Sequence, residues 1–239
     1  MNCLRSLNYI KKIDNKYRKH GLGTILIHPP EWEFEKQSKN IFNAVKKYKI
    51  KIPIIIDKER KIIKKLKVNF WPTQMLVRDE KILYRHVGEG SYKVLENNII
   101  RLLKVKLNGI FEQEPRYSKF PTVYCGKDKR GEIKELNKDL KFGVIYKNNN
   151  WVQEREYIRS LKNNSSLLIL TKGNIINFVA ESLNKKLIKV GIKLDDKNIR
   201  TTYVNKPQLY NIIKLKNSKP QKLSLITSKN IAIYSFSFQ

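Results

Sequence analysis

The spacing of apolar positions changes along this chain of 239 residues, and each change predicts an element. Leu4, Leu7, Ile10 and Ile13 recur every three positions with polar residues between, which predicts a helix. It runs to about residue 20, where Gly21-Leu22-Gly23 stops it. Thr24-Ile25-Leu26-Ile27 follows as a short buried strand, ended by Pro29-Pro30. A second helix is expected over 38–48, with Ser38 as its cap and Ile41, Phe42, Val45 and Tyr48 on one side. Residues 52–57 read as another strand and 60–66 as a Lys-rich helical turn. Beyond Phe70-Trp71-Pro72-Thr73 come two strands, 74–77 and 82–87, joined by the turn Arg78-Asp79-Glu80-Lys81. A helix over 91–105, carrying Val94, Leu95, Ile99, Leu102 and Leu103, closes this half.

The alternation predicts an α/β domain over 1–107 that opens on a helix, without the strand that ordinarily delivers the chain to it. Residues 108–120 turn polar, with Glu112-Gln113-Glu114-Pro115-Arg116, and are expected to be a linker. The second domain, 121–239, is a series of short apolar runs at 143–146, 166–170, 175–180, 186–194, 209–215, 222–227 and 232–238. Asn148-Asn149-Asn150, Lys172-Gly173-Asn174 and Asp195-Asp196 punctuate them. Many short strands at this spacing predict an all-β sandwich of jelly-roll type.

Composition changes the picture little. A net charge of +29 invites a nucleic-acid reading, but the excess is Lys spread along the whole chain. Arg, whose planar fork matches phosphate and guanine, is scarce, and no nucleic-acid-binding motif is present, so a dedicated nucleic-acid role is not expected. His20, His28 and His86 lack metal-ligand spacing. No apolar run reaches the ~20 residues of a membrane span, and no signal peptide precedes the first helix. Two cysteines, Cys3 and Cys125, do not make a disulfide scaffold.

Met1-Asn2-Cys3 reads as the second part of a Cys-x-x-Cys motif at a helix start, the first cysteine falling just before Met1. The missing strand and the missing cysteine belong to the same place. In order along the chain, Asn2-Cys3-Leu4-Arg5-Ser6-Leu7, His28-Pro29-Pro30-Glu31-Trp32-Glu33-Phe34-Glu35, Phe70-Trp71-Pro72-Thr73 and Gly88-Glu89-Gly90-Ser91-Tyr92 resemble the thioredoxin-like domain of the DipZ group of DsbD-like proteins. Pro121-Thr122-Val123-Tyr124-Cys125-Gly126, Trp151 and Tyr234-Ser235-Phe236-Ser237-Phe238 resemble the carbohydrate-binding-module-like sandwich that follows it in that family.

The resemblance implies thiol–disulfide exchange outside the cytoplasm on protein thiol and disulfide substrates, with a membrane-embedded electron donor and no cofactor. It maps Cys3 onto the resolving thiol and Trp71-Pro72 onto a cis-proline loop, with Thr73, Glu31 and Trp32 contouring the substrate surface. With the attacking cysteine missing, activity is expected to be impaired. A stray thiol ahead of a helix is the alternative for Cys3, and a small buried hydrophobe is the expectation for Cys125. A second function stays open, a non-catalytic module holding a polysaccharide or protein. Trp151, Tyr157, Tyr203, Tyr210 and Tyr234 would be its platform if exposed, although aromatics in strands usually fill cores.

Overall fold

The computed structural model of the chain describes residues 2–114, 121–136, 139–215 and 219–238. Met1, and residues 115–120 of the expected linker, lie outside them. The chain divides into two compact units, Met1–Tyr117 and Ser118–Gln239.

In the first unit the elements run α1 (Asn2–Tyr17), β1 (Leu26–His28), α2 (Ser38–Lys47), β2 (Ile54–Ile56), α3 (Lys61–Lys65), β3 (Thr73–Arg78), β4 (Lys81–Val87) and α4 (Tyr92–Leu103). Leu7, Ile13 and Tyr17 of α1 are buried, and Gly21, left-handed at φ 98°, ends the 3-10 turn that follows the helix. Strands β1 and β2 pair in parallel, Leu26 opposite Ile54. Strands β3 and β4 form an antiparallel hairpin turned by Asp79 and Glu80, both left-handed. These pairs are two separate two-stranded sheets. Among the described residues each pair therefore leaves its two outer edges without a ladder partner.

Two local readings need correction. Ser38 is the first helical residue of α2, and the capping position falls on Gln37, which makes no side-chain cap bond. Phe42 does not share the covered side of α2. Ile41, Ala44, Val45 and Tyr48 are half-buried at helical spacing, while Phe42, one position off that face, is 68% exposed.

The core of this unit joins Ile13 and Tyr17 to Tyr92, Leu95, Ile99 and Phe111. Glu96, fully buried on α4, is the polar member of this packing. Its carboxylate accepts the Tyr17 hydroxyl at 2.6 Å, the Ile110 N–H at 2.6 and 2.7 Å, and the Phe111 N–H at 3.1 Å. Burial, reinforced by that bond, pushes the Tyr17 hydroxyl far above its ordinary pKa. Glu114 returns to the start of α4, where its carboxylate accepts the N–H groups of Tyr92 (3.0 Å), Lys93 (2.9 Å) and Val94 (3.4 Å). An anion there satisfies donors that a helix start leaves orphaned. Residues 108–114 thus pack on the first unit, which polarity alone did not reveal.

The second unit contains β5 (Val123–Tyr124), β6 (Ile133–Glu135), β7 (Ile145–Lys147), β8 (Trp151–Gln153), β9 (Ile158–Ser160), β10 (Ser165–Lys172), β11 (Ile175–Ser182), β12 (Ile188–Leu194), β13 (Lys197–Val204), β14 (Gln208–Lys214), β15 (Pro220–Thr227) and β16 (Ile231–Phe238). One sheet has the order β13-β12-β15-β10-β7-β6; the other is β14-β11-β16-β9-β8, with β5 added beside β16. Long strands alternate between them except at the β12–β13 hairpin: β10, β12, β13 and β15 lie in the first, β11, β14 and β16 in the second. This is the jelly-roll sandwich. Its core includes Ile145, Trp151, Ile169, Phe178, Val190, Leu223, Ile233 and Phe236, and Cys125 is fully buried within it. Gly126 and Gly131 allow close backbone approach. A Cβ on Gly126 would overlap the main chain of Arg155 and Glu156, and one on Gly131 would overlap that of Tyr124.

Two outcomes follow from the contrast between units. Gly126→Ala should destabilise the sandwich by about 1–3 kcal/mol, because the overlap is with backbone that no rotamer change relieves; chemical denaturation of the full chain measures this. The first unit, built on two-stranded sheets that are marginal by themselves, should lose amide protection at lower denaturant than the second. Hydrogen exchange resolved by segment checks the order.

Candidate functional site

Cys3 occupies the first turn of α1, as a helix-start thiol must. Accessibility and local crowding diverge here. The residue is exposed, yet the density of protein around its sulfur pushes the thiol up to about 11. Glu31, Glu35 and Glu89 place negative charge near the sulfur and add to the effect of burial, while the positive N-terminal amine opposes it. A lowered pKa of the kind an attacking thiol needs is therefore not found at Cys3.

Glu31 and Glu35 come from the loop after β1. The Glu31 N–H donates to the Glu35 carboxylate at 2.6 Å, and burial pushes Glu35 up to about 7. Burial also lowers the pKa of His28 at the end of β1, which favours its neutral form. Trp32 is not a docking face. It is only 4% exposed and stacks on Phe34 at 5.8 Å, so it supports the loop from beneath.

On the other side of the site the Trp71–Pro72 peptide is cis, and Pro72 is buried. Trp71 is flanked by the Arg60 guanidinium, 5.4 Å from the ring centre. Arg60 also donates to the Pro30 carbonyl at 2.6 Å, bridging the loop after β1 to the proline loop. The Thr73 hydroxyl donates to the Phe70 carbonyl at 2.6 Å, which turns it inward to brace the loop. Phe70 itself is 71% exposed.

The turn between β4 and α4 joins these pieces. Gly88 N–H donates to the Pro72 carbonyl at 2.8 Å, and Gln74 Nε2 donates to the Gly90 carbonyl at 3.1 Å. Arg5, on the Cys3 helix, donates to Glu89 through Nε (2.7 Å) and Nη2 (2.8 Å). Tyr92 donates its hydroxyl to Ser6 at 2.7 Å. Gly88 and Gly90 have φ of 99° and 94°, which only glycine adopts without strain. The sequence pointed to Cys3, the proline loop and the turn as separate segments; it missed Arg5, Arg60 and Gln74 as the residues that join them. A charged residue in each of two motifs, Arg5 and Glu89, was the available signal.

In the sandwich the proposed aromatic platform is not assembled. Trp151 and Tyr234 are buried, Tyr210 stacks on core Phe178, and Tyr157 lies edge-on to Tyr234. Tyr203 alone of the five is exposed, at 54%. Among the described residues no cluster of three or more His, Cys, Asp or Glu could hold a metal ion, and no helix is long and apolar enough to cross a membrane.

A cis-proline loop and a helix-start cysteine tied to one turn define the class: a thioredoxin-like domain, followed here by a strand-rich sandwich. The Redoxin family matches residues 2–99, so a Redoxin domain opens the chain. The chain is 28% identical over 125 residues to Protein DipZ of Mycobacterium bovis, covering 52% of this chain and 18% of that protein. It is 30% identical over 101 residues to the thiol-disulfide oxidoreductase ResA of Bacillus cereus, covering 42% of this chain and 56% of ResA. The chain thus spans only part of either relative. Among solved structures, the carbohydrate-binding module CBM36 in complex with calcium and xylotriose has a TM-score of 0.32 and 11% identity, over 50% of this chain and 99% of the module. That score is too low to bear on the sandwich's ligand.

With its pKa pushed up to about 11 by burial, Cys3 carries far less thiolate at neutral pH than an ordinary cysteine. Its iodoacetamide reaction should accelerate up to about pH 11, followed by mass spectrometry at the peptide bearing Cys3. A midpoint at or below that of a free thiol would contradict the site geometry.

Proposed function

We propose that the first unit is a thiol–disulfide exchange domain in which Cys3 is the resolving thiol. The observation that carries this is the pairing of a helix-start cysteine with a cis-proline loop through one shared turn. A thiol held neutral is unsuited to open a substrate disulfide. It can serve the second step, when a mixed disulfide at an attacking cysteine already stands beside it and proximity offsets the small thiolate fraction. Cys3 sulfur then bonds to the attacking cysteine's sulfur, the substrate sulfur leaves with the electron pair of the broken bond, and the Cys3 proton passes to it. Two protein sulfurs become oxidised and the substrate is released reduced.

The motif places the attacking cysteine directly before Met1. Residues 1–117 carry one cysteine, Cys3, so closing that disulfide requires a second thiol three positions ahead of it. Protein thiols and disulfides are the proposed substrates, and identity to DipZ and ResA supports that class. An extracytoplasmic setting with a membrane-embedded electron donor is the corresponding proposal, supported by the resemblance to the DipZ group.

A chain with one cysteine added directly ahead of Met1 completes the motif. It should form a disulfide between the added residue and Cys3 and reduce insulin at least about tenfold faster than the unextended chain, the scale of gain expected when a nearby thiol resolves the intermediate. Adding Cys3→Ser should trap the substrate as a mixed disulfide. A folded, extended chain in which the two thiols stay unlinked under oxidising conditions would overturn the assignment.

A further inference from the structure

The Arg5–Glu89 pair is more than a surface ion pair. The guanidinium and carboxylate meet through two bonds of 2.7 and 2.8 Å, with side chains only 17% and 6% exposed. Arg5 Nη2 also donates to Asn2 Oδ1 at 2.7 Å, so the same guanidinium holds the residue next to Cys3. Glu89 is held from behind, its carbonyl 3.2 Å from His86 Nε2. The neighbouring Gly90 carbonyl is taken by Gln74. Both ends of the pair are thereby fixed: one in the first turn of α1, the other in the turn whose Gly88 holds Pro72.

Charge gives the pair a second effect. Besides burial, the charged groups that bear on the Cys3 sulfur are the N-terminal amine, which favours the thiolate, and Glu31 and Glu35 from the loop after β1 and Glu89 from the turn, which favour the thiol. Arg5 is the cation of the same helical turn, two residues from Cys3, and an unopposed guanidinium there would stabilise a thiolate. Glu89 occupies two of its nitrogens and cancels its charge.

We propose that Arg5 and Glu89 are positioning residues that clamp the Cys3 helix to the proline-bearing turn and, by neutralising each other, keep the guanidinium charge from acting on the Cys3 sulfur. This rests on Cys3 being the resolving thiol. The clamp fixes where the sulfur sits, and the mutual neutralisation limits the charge that acts on it.

The test is the pH profile of Cys3 alkylation in the full chain, read with the melting temperature of each variant. Glu89→Gln removes an anion and frees the Arg5 charge, so alkylation at pH 8 should rise about fivefold or more, a midpoint shift of roughly 0.7 pH unit or larger. Arg5→Gln leaves Glu89 unopposed and should slow alkylation below that of the unmodified chain. The double variant should return toward the starting profile. Opposite signs separate the electrostatic role from a structural one, because local unfolding would relieve the crowding around the Cys3 sulfur and speed alkylation in both single variants. If either glutamine variant does not fold, Arg5→Lys still decides the matter. It keeps both charges but loses the planar fork, so the midpoint should stay while disulfide closure with a cysteine added before Met1 slows. Same-sign shifts in the single variants, or an Arg5→Lys chain whose midpoint falls, would overturn the clamp. The alkylation readout requires no disulfide, so failure of the resolving role appears separately, as absent closure with a normal titration.

Discussion

Carboxylates, two of them shielded from water and one, Glu114, exposed, join the first unit where a continuous sheet does not. With β1–β2 and β3–β4 in separate pairs, ladder hydrogen bonds cannot tie the two halves together. Glu89 ties the start of α1 to the turn before α4, Glu96 ties α4 to Tyr17 and to the backbone of 110–111, and Glu114 caps α4. Each takes more than one donor, and Glu89 and Glu96, removed from water, must do so. Because these are specific, directional contacts, they fix the angle of α1 and with it the place of Cys3. Apolar packing of Ile13 and Tyr17 against α4 holds the far end of the same helix.

The sandwich follows the other strategy. Its two sheets share one large apolar core, and β16 is buried along its whole length, apolar side chains on one face and small or hydroxyl-bearing ones on the other. Tyr234 donates to Glu181 there, and burial, reinforced by that bond, raises its hydroxyl well beyond the ordinary tyrosine range. Cys125 belongs to this core as a small apolar group, its thiol held neutral by burial. The two cysteines thus differ in kind. Cys3 is accessible at a helix start among carboxylates; Cys125 is sealed.

What the sequence disclosed tracks the range of each interaction. Local rules placed α1, α4 and most long strands, because period and turn residues act within a few positions. They failed at Phe42, where one step around a helix decides covered from exposed, and at β13, where 197–200 are exposed polar and apolar residues without strand alternation. Strands β5, β6, β8 and β9 are too short to show a period. Trp32 was read as a surface residue because nothing local says that Phe34 stacks on it. Cys3, Pro72 and Glu89 were legible as motifs in order. The bonds among them span as many as 84 positions, and no pattern within one segment encodes that meeting.

Glu114 also determines how this chain answers to force. A pull on the chain at its exit from the first unit reaches Glu114 before it reaches any helix. The load then falls across the N–H groups of Tyr92, Lys93 and Val94 together, at the helix's front end. Bonds loaded in parallel must yield as a set, whereas a helix drawn from its rear can unwind turn by turn. Behind them Glu96 grips Ile110 and Phe111 as a second stop. The junction is therefore built like a bolt and not like a zipper, and the turn that carries Glu89 is the first structure to feel it slip.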